Sequence, residues 1–133
     1  MVSVLLSLPR RMPTDATRVL VIDDEAVLRG LLREMLFACG YEADVAENGA
    51  AGLARYQARR HRAVITDLLM PGMNGFEVVA ALRTIDPEVR IIMLTGSAPA
   101  LTTERARQWG ITLLHKPIAL RELKAAVDAV CRR

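Results

Sequence analysis

At four places in this chain an apolar run ends on a polar group that can do chemistry. "RVLVI" is followed by Asp23-Asp24, "AVIT" by Asp67, "IIML" by Thr95, and "ITLLH" by Lys116-Pro117. Three carboxylates on one rim would repel one another and favour a bound cation. All-oxygen donors suit Mg²⁺ or another hard divalent ion, which keeps its waters and accepts phosphate oxygens. An amine and a hydroxyl opposite would hold the remaining oxygens of a phosphoryl group. That combination supports phosphoryl transfer by positioning and electrostatics. A lone Asp after a strand is ordinarily a helix cap, and a lone Thr a turn hydroxyl. The coincidence at four strand ends points away from that ordinary reading.

The elements that must position these groups are legible from periodicity. β-branched, apolar runs predict strands at 18–23, 41–46, 63–66, 89–95 and 111–115. Between them Val27, Leu28, Leu31, Leu32, Met35, Leu36 and Cys39 fall at helical spacing, and Gly40 is placed to end that helix. Asn48 caps a helix through Arg59, and Asn74 with Glu77 has capping-box spacing before a helix that stops ahead of Pro87. A weaker helix covers 98–109, starting between Ser97 and Thr102. Leu120, Leu123, Val127 and Val130 mark the last one. Five alternations of strand and helix imply a parallel sheet covered on both faces. Ligands of such sheets bind outside the carboxyl ends of the strands.

The totals exclude several classes. The 133 residues suit one domain, and 52% hydrophobic with 25% charged residues is an ordinary globular composition. Aromatic residues make up only 4%, which argues against a stacking surface for nucleic acid, and a charge of +3 names no polyanionic partner. Arg55, Arg59, Arg60 and Arg62 read as a solvated face. Cys39 reads as a small core hydrophobe, and Cys39 and Cys131 have no metal-type spacing. The apolar start "MVSVLLSL" has its arginines after it, the reverse of a signal peptide, and no run reaches membrane-spanning length. Residues 1–16 are expected to be an extension and 17–133 the domain. There is no P-loop and no nucleophile elbow, and His61 and His115 are too few for a histidine-rich zinc site.

With its acidic pair, "DLLMPGMNG", "IIMLTG" and "HKPI", the chain resembles a bacterial response-regulator receiver domain across residues 18–131. The resemblance implies a flavodoxin-like (βα)5 three-layer α/β sandwich with a parallel five-stranded sheet in the order 2-1-3-4-5. It implies that Asp67 takes the phosphoryl group as an acyl phosphate. Asp24, Asp67 and the backbone carbonyl of Leu69 would bind Mg²⁺ (or Mn²⁺), with Asp23 acting through a water. Thr95 and Lys116 would hold phosphoryl oxygens, and the Lys116–Pro117 bond would be cis. Such a domain is no conventional enzyme. It catalyses its own phosphorylation, from a phosphohistidine or a small phosphodonor, and its own dephosphorylation. Its expected partners are a histidine kinase or histidine phosphotransfer protein. A downstream protein or attached output domain would meet the face formed by the fourth helix, fifth strand and fifth helix. Direct nucleic-acid or membrane contact is not expected, and the location implied is cytoplasmic.

Two positions depart from the family. Leu113 stands where many receivers carry the aromatic ring that follows the threonine, so the usual coupling is replaced by something else, such as a rearrangement of 96–110. Leu69 puts an apolar side chain beside the acceptor, where it would limit attack by water. Trp109, at the end of the fourth helix, is a candidate partner contact; the alternative is that it covers the sheet edge. The competing reading of the whole chain is a receiver-like scaffold that is never phosphorylated. A small hydrolase on the same metal site is a third, for which no substrate pocket is evident.

Overall fold

The computed structural model describes residues 16–132. The expected extension at 1–16 therefore lies almost wholly outside the described residues. Five strands and five helices alternate: β1 (Arg18–Ile22), α1 (Ala26–Ala38), β2 (Glu42–Ala46), α2 (Gly49–Arg59), β3 (Ala63–Asp67), α3 (Gly75–Ile85), β4 (Ile91–Thr95), α4 (Ala100–Gln108), β5 (Thr112–His115) and α5 (Leu120–Cys131). The strands form one parallel sheet in the order β2-β1-β3-β4-β5, as the flavodoxin-like reading requires.

Alternation along each strand divides the core in two. Leu20, Ile22, Val64, Ile91 and Met93 face α2, α3 and α4, where they meet Tyr56, Phe76, Val79, Leu82 and Ala106. Val19, Val21, Ile65, Ile92 and Leu94 face α1 and α5, against Leu32, Leu36, Leu123, Val127 and Val130. β3 and β4 are buried along their whole length, which is why their sequences lack a polar face. Each such Leu, Ile or Val contributes about 1.5–3 kcal/mol by leaving water.

Local chemistry sets the helix ends. Asn48 accepts from the Ala51 N–H, and Asn74 and Glu77 exchange the two hydrogen bonds of a capping box. α1 ends at Gly40 (φ +93°), with Gly40 donating to Phe37 and Tyr41 to Leu36. α4 ends the same way at Gly110 (φ +67°), with Gly110 donating to Arg107 and Ile111 to Ala106. Both are Schellman closures that need a left-handed residue.

Some boundaries differ from the sequence reading. β4 begins at Ile91 rather than 89, because the Val89 N–H closes a turn onto the Asp86 carbonyl. α4 begins at Ala100, one residue after Pro99, inside the expected window. Cys39 is half-buried at the end of α1 rather than in the core. The arginines after α2 are not simply solvated. Arg59 lies 3.8 Å from Asp44, and Arg62 donates twice to the Cys131 carbonyl at the end of α5. Among the described residues no helix is long and apolar enough to cross a membrane.

Candidate functional site

β1 and β3 are neighbours although β2 separates them in sequence, so the connections leave in opposite directions and open a crevice at their carboxyl ends. Asp23 follows β1 directly and Asp67 ends β3, which puts both carboxylates in that crevice. Both side chains are nearly inaccessible, at 1% and 7%. Asp67 Oδ1 accepts from the Leu68 N–H at 2.9 Å. Its other oxygen, Oδ2, lies 3.2 Å from Lys116 Nζ. The same ammonium is 3.9 Å from Asp23 Oδ2. Lys116 is aimed from the loop after β5, where its N–H donates to the Thr95 carbonyl at 2.8 Å and the following peptide to Pro117 is cis.

The acidic loop is fixed by its backbone. Asp23 Oδ1 accepts from the Glu25 N–H at 2.8 Å, and the Asp23 carbonyl accepts from the Arg29 guanidinium at 2.8 Å. Burial pushes the Asp23 carboxyl above its ordinary value, and the negative charges of Asp67 and Asp24 add to that rise. The Glu25 N–H and Lys116 oppose it.

The structure gathers a carboxylate set that differs by one residue from the sequence reading. Oxygens of Asp23, Glu25 and Asp67 all lie within 4.8 Å of one another. Asp24 is exposed and is not of that group; Glu25, one residue on and also exposed, contributes an oxygen to it. A divalent cation fits what is present. The donors are hard carboxylate oxygens, and Asp23 Oδ2 is buried with no hydrogen-bond partner. Such an atom is costly unless a further group satisfies it.

The remaining expected residues sit around this centre. Thr95 is buried, but its hydroxyl donates to the Ser97 carbonyl and accepts from the Ser97 N–H at 3.1 Å. It is committed to a local turn. Leu69 is 73% exposed beside the crevice mouth. Leu113 is half-buried against the α2–α3–α4 side of the core. Trp109 is half-buried too, packed on that core and edge-on to Phe76, which favours the covering reading over a free contact.

Sequence reasoning passed over His61. Its side chain is fully buried, with Nε2 2.7 Å from Asp44 Oδ2. Burial holds its pKa below the ordinary value, against the raising effect of Asp44. The neutral ring donates from Nε2, and Nδ1 is left without a partner. Burial acts to raise Asp44, but the His61 hydrogen bond and the charges of Arg18 and Arg59 hold it below the ordinary range. This pair lies at the opposite end of the sheet from Asp67.

Comparison with known proteins agrees with the geometry. The response regulator receiver domain family matches residues 19–128. Among curated proteins, the transcriptional regulatory protein ResD of Bacillus subtilis is 36% identical over 121 residues, covering 90% of this chain and 50% of that protein. The response regulator MprA of a Mycobacterium strain (KMS) is 34% identical over 117 residues, covering 87% and 51%. The chain thus spans about half the length of the curated relatives it matches. Among solved structures, a response regulator receiver domain protein of Clostridium thermocellum superimposes with a TM-score of 0.83 at 28% identity, covering 88% of this chain and 95% of that one. The chemotaxis protein CheY4 of Vibrio cholerae gives 0.81 at 31% identity, covering 86% and 98%.

Proposed function

Because the chain belongs to the response regulator receiver domain family, we propose that Asp67 is its phosphoacceptor and that Asp23, Glu25 and Asp67, with Asp24 and the Leu69 carbonyl at the loop edges, hold Mg²⁺ or Mn²⁺. The observation that carries this reading is the Lys116 ammonium 3.2 Å from Asp67 Oδ2, beside the buried Asp23 carboxylate and within reach of Glu25. With Oδ1 held by the Leu68 N–H, Oδ2 is the nucleophile. It forms a bond to phosphorus as the P–N bond of a phosphohistidine breaks. The imidazole leaves with the electron pair and takes a proton. A bound divalent cation would neutralise charge on the phosphoryl oxygens. Lys116 then trades its contact with Oδ2 for a phosphoryl oxygen. The Thr95 hydroxyl exchanges the Ser97 carbonyl for another. Water attacking phosphorus then breaks the P–O bond to Asp67, which leaves as the free carboxylate while inorganic phosphate departs.

The domain is therefore a switch rather than a metabolic enzyme, and it signals through its α4–β5–α5 face. The donor is a histidine kinase or a histidine phosphotransfer protein, and its location is that of such donors, the cytoplasm. Output passes to a docked partner or an attached domain. Intact mass after incubation with a small acyl-phosphate donor tests the reading. The expectation is a gain of one phosphoryl group that needs Mg²⁺ and is lost in Asp67→Ala. No gain under conditions where the metal binds would favour a scaffold that keeps the fold without the chemistry.

A further inference from the structure

α4 is weakly seated on the sheet, with Ala106 as its one buried residue. What fastens it is a cluster at its carboxyl end. The Trp109 ring meets the Phe76 ring edge-on, with centroids 5.2 Å apart and planes at 81°. The Arg105 guanidinium lies 4.4 Å from the Phe76 centroid and 4.9 Å from that of Trp109, so one cation covers both rings. Arg83 of α3 donates to the Trp109 carbonyl. The Schellman closure at Gly110 fixes the turn that holds Trp109 in place.

The other side of this cluster is bound to the acceptor loop. Phe76 follows Gly75, whose N–H donates to the Leu68 carbonyl at 2.7 Å. A Cβ at Gly75 would stand 2.7 Å from the Asp67 carbonyl oxygen, so this segment is packed directly on the strand that carries the acceptor. Leu68 in turn donates to Asp67 Oδ1. The opposite end of α4 hangs from Thr95 through Ser97 and Pro99.

We infer that the Arg105–Phe76–Trp109 cluster is a latch that holds α4 in its unphosphorylated position and supplies the coupling that Leu113, lacking a ring, does not. This rests on Asp67 being the phosphoacceptor. α4 is then an element pulled from two ends. Withdrawal of Thr95 from Ser97 pulls at its amino end, and the latch resists at its carboxyl end. The latch strength sets how far phosphorylation shifts the population. When it opens, Trp109 leaves Phe76 and joins the exposed α4–β5–α5 face.

Trp109 is the only tryptophan, so the protein carries its own reporter. The experiment follows Trp109 emission and amide hydrogen exchange over 100–108, with and without Mg²⁺ and a small acyl-phosphate donor. Intact mass is read on the same samples. Wild type should red-shift and lose protection in α4 on phosphorylation. Arg105→Gln, a change at an exposed position, and Arg83→Gln should show faster α4 exchange before any phosphorylation. Their phosphorylation-dependent change should shrink by half or more while phosphoryl occupancy stays as in wild type. Full occupancy with unchanged emission and exchange in wild type would overturn the latch. So would variants that respond as fully as wild type. A chain that gains no phosphoryl mass would overturn the phosphoacceptor reading and the latch with it.

Discussion

Gly75 offers a sharp test of how tightly the acceptor is packed. Its φ lies outside the left-handed region, so backbone strain plays no part in the choice of glycine. Space alone decides. An alanine Cβ there would meet the Asp67 carbonyl oxygen at 2.7 Å, Leu68 Cα at 2.9 Å and Met93 Cε at 3.0 Å. The first two are backbone atoms of the strand end that carries the acceptor, and they cannot turn aside as a side-chain tip can. Gly75→Ala therefore forces β3 and α3 apart, at a cost typical of overpacking, about 1–3 kcal/mol. For a domain of this size that lowers Tm by roughly 4–12 °C. The displaced carboxylate should also take up phosphoryl groups more slowly. Gly30→Ala is the control: Gly30 is exposed within α1 and an added Cβ meets nothing within 4 Å. Relief of glycine's entropy there should stabilise by about 0.5–1 kcal/mol. Thermal denaturation and timed intact-mass measurements on both variants decide the matter. A Gly75→Ala protein as stable as wild type, with unchanged phosphorylation, would refute the argument.

Other outcomes follow from the same geometry. Lys116→Met removes the ammonium from Asp67 Oδ2 and should slow phosphorylation by roughly a hundredfold, read by timed intact mass; an unaltered rate would deny Lys116 a role with the phosphoryl group. Leu69→Asn, at a side chain 73% exposed beside the site, should speed dephosphorylation, and an unchanged phosphoryl lifetime would show that Leu69 does not screen water. His61 has a folded pKa below its unfolded value, so the folded state binds fewer protons. Its contribution to stability is intact above the unfolded value, about 6.5, and is lost as pH falls from there toward the folded value. Asp44, also depressed, adds a loss at still lower pH, near the carboxylate range. Denaturation between pH 7.5 and 5 should show Tm falling in wild type and a smaller fall in His61→Gln.

The fold was legible because the central strands β1, β3 and β4 are apolar and buried along nearly their whole length, and the helices other than α4 repeat their apolar residues at helical spacing. Asn74 with Glu77, and Gly40, marked helix ends by chemistry that acts over a few residues. Asp67, Asp23 and Lys116 were legible for a similar reason: a strand end in a parallel sheet points at the crevice whatever the rest of the chain does. The unread features all depend on groups distant in sequence or on a side chain's direction. Asp24 and Glu25 are adjacent exposed carboxylates, and only the folded turn after β1 shows which one brings an oxygen near those of Asp23 and Asp67. His61 is an ordinary loop residue until Asp44, 17 positions earlier, is brought under it. Arg62 looks solvated until the end of α5 arrives, 69 positions on. Trp109 and Phe76 come from different helices, and their contact has no periodic signature.

The most direct test of the central claim is to locate the phosphoryl group. An acyl phosphate is reduced by borohydride to an alcohol, which marks the residue that carried it. The account predicts that a peptide map shows this reduction at position 67, only after treatment with both phosphodonor and Mg²⁺. Reduction at Asp23, Asp24 or Glu25 instead, or at no carboxylate in a protein that has gained phosphoryl mass, would contradict it.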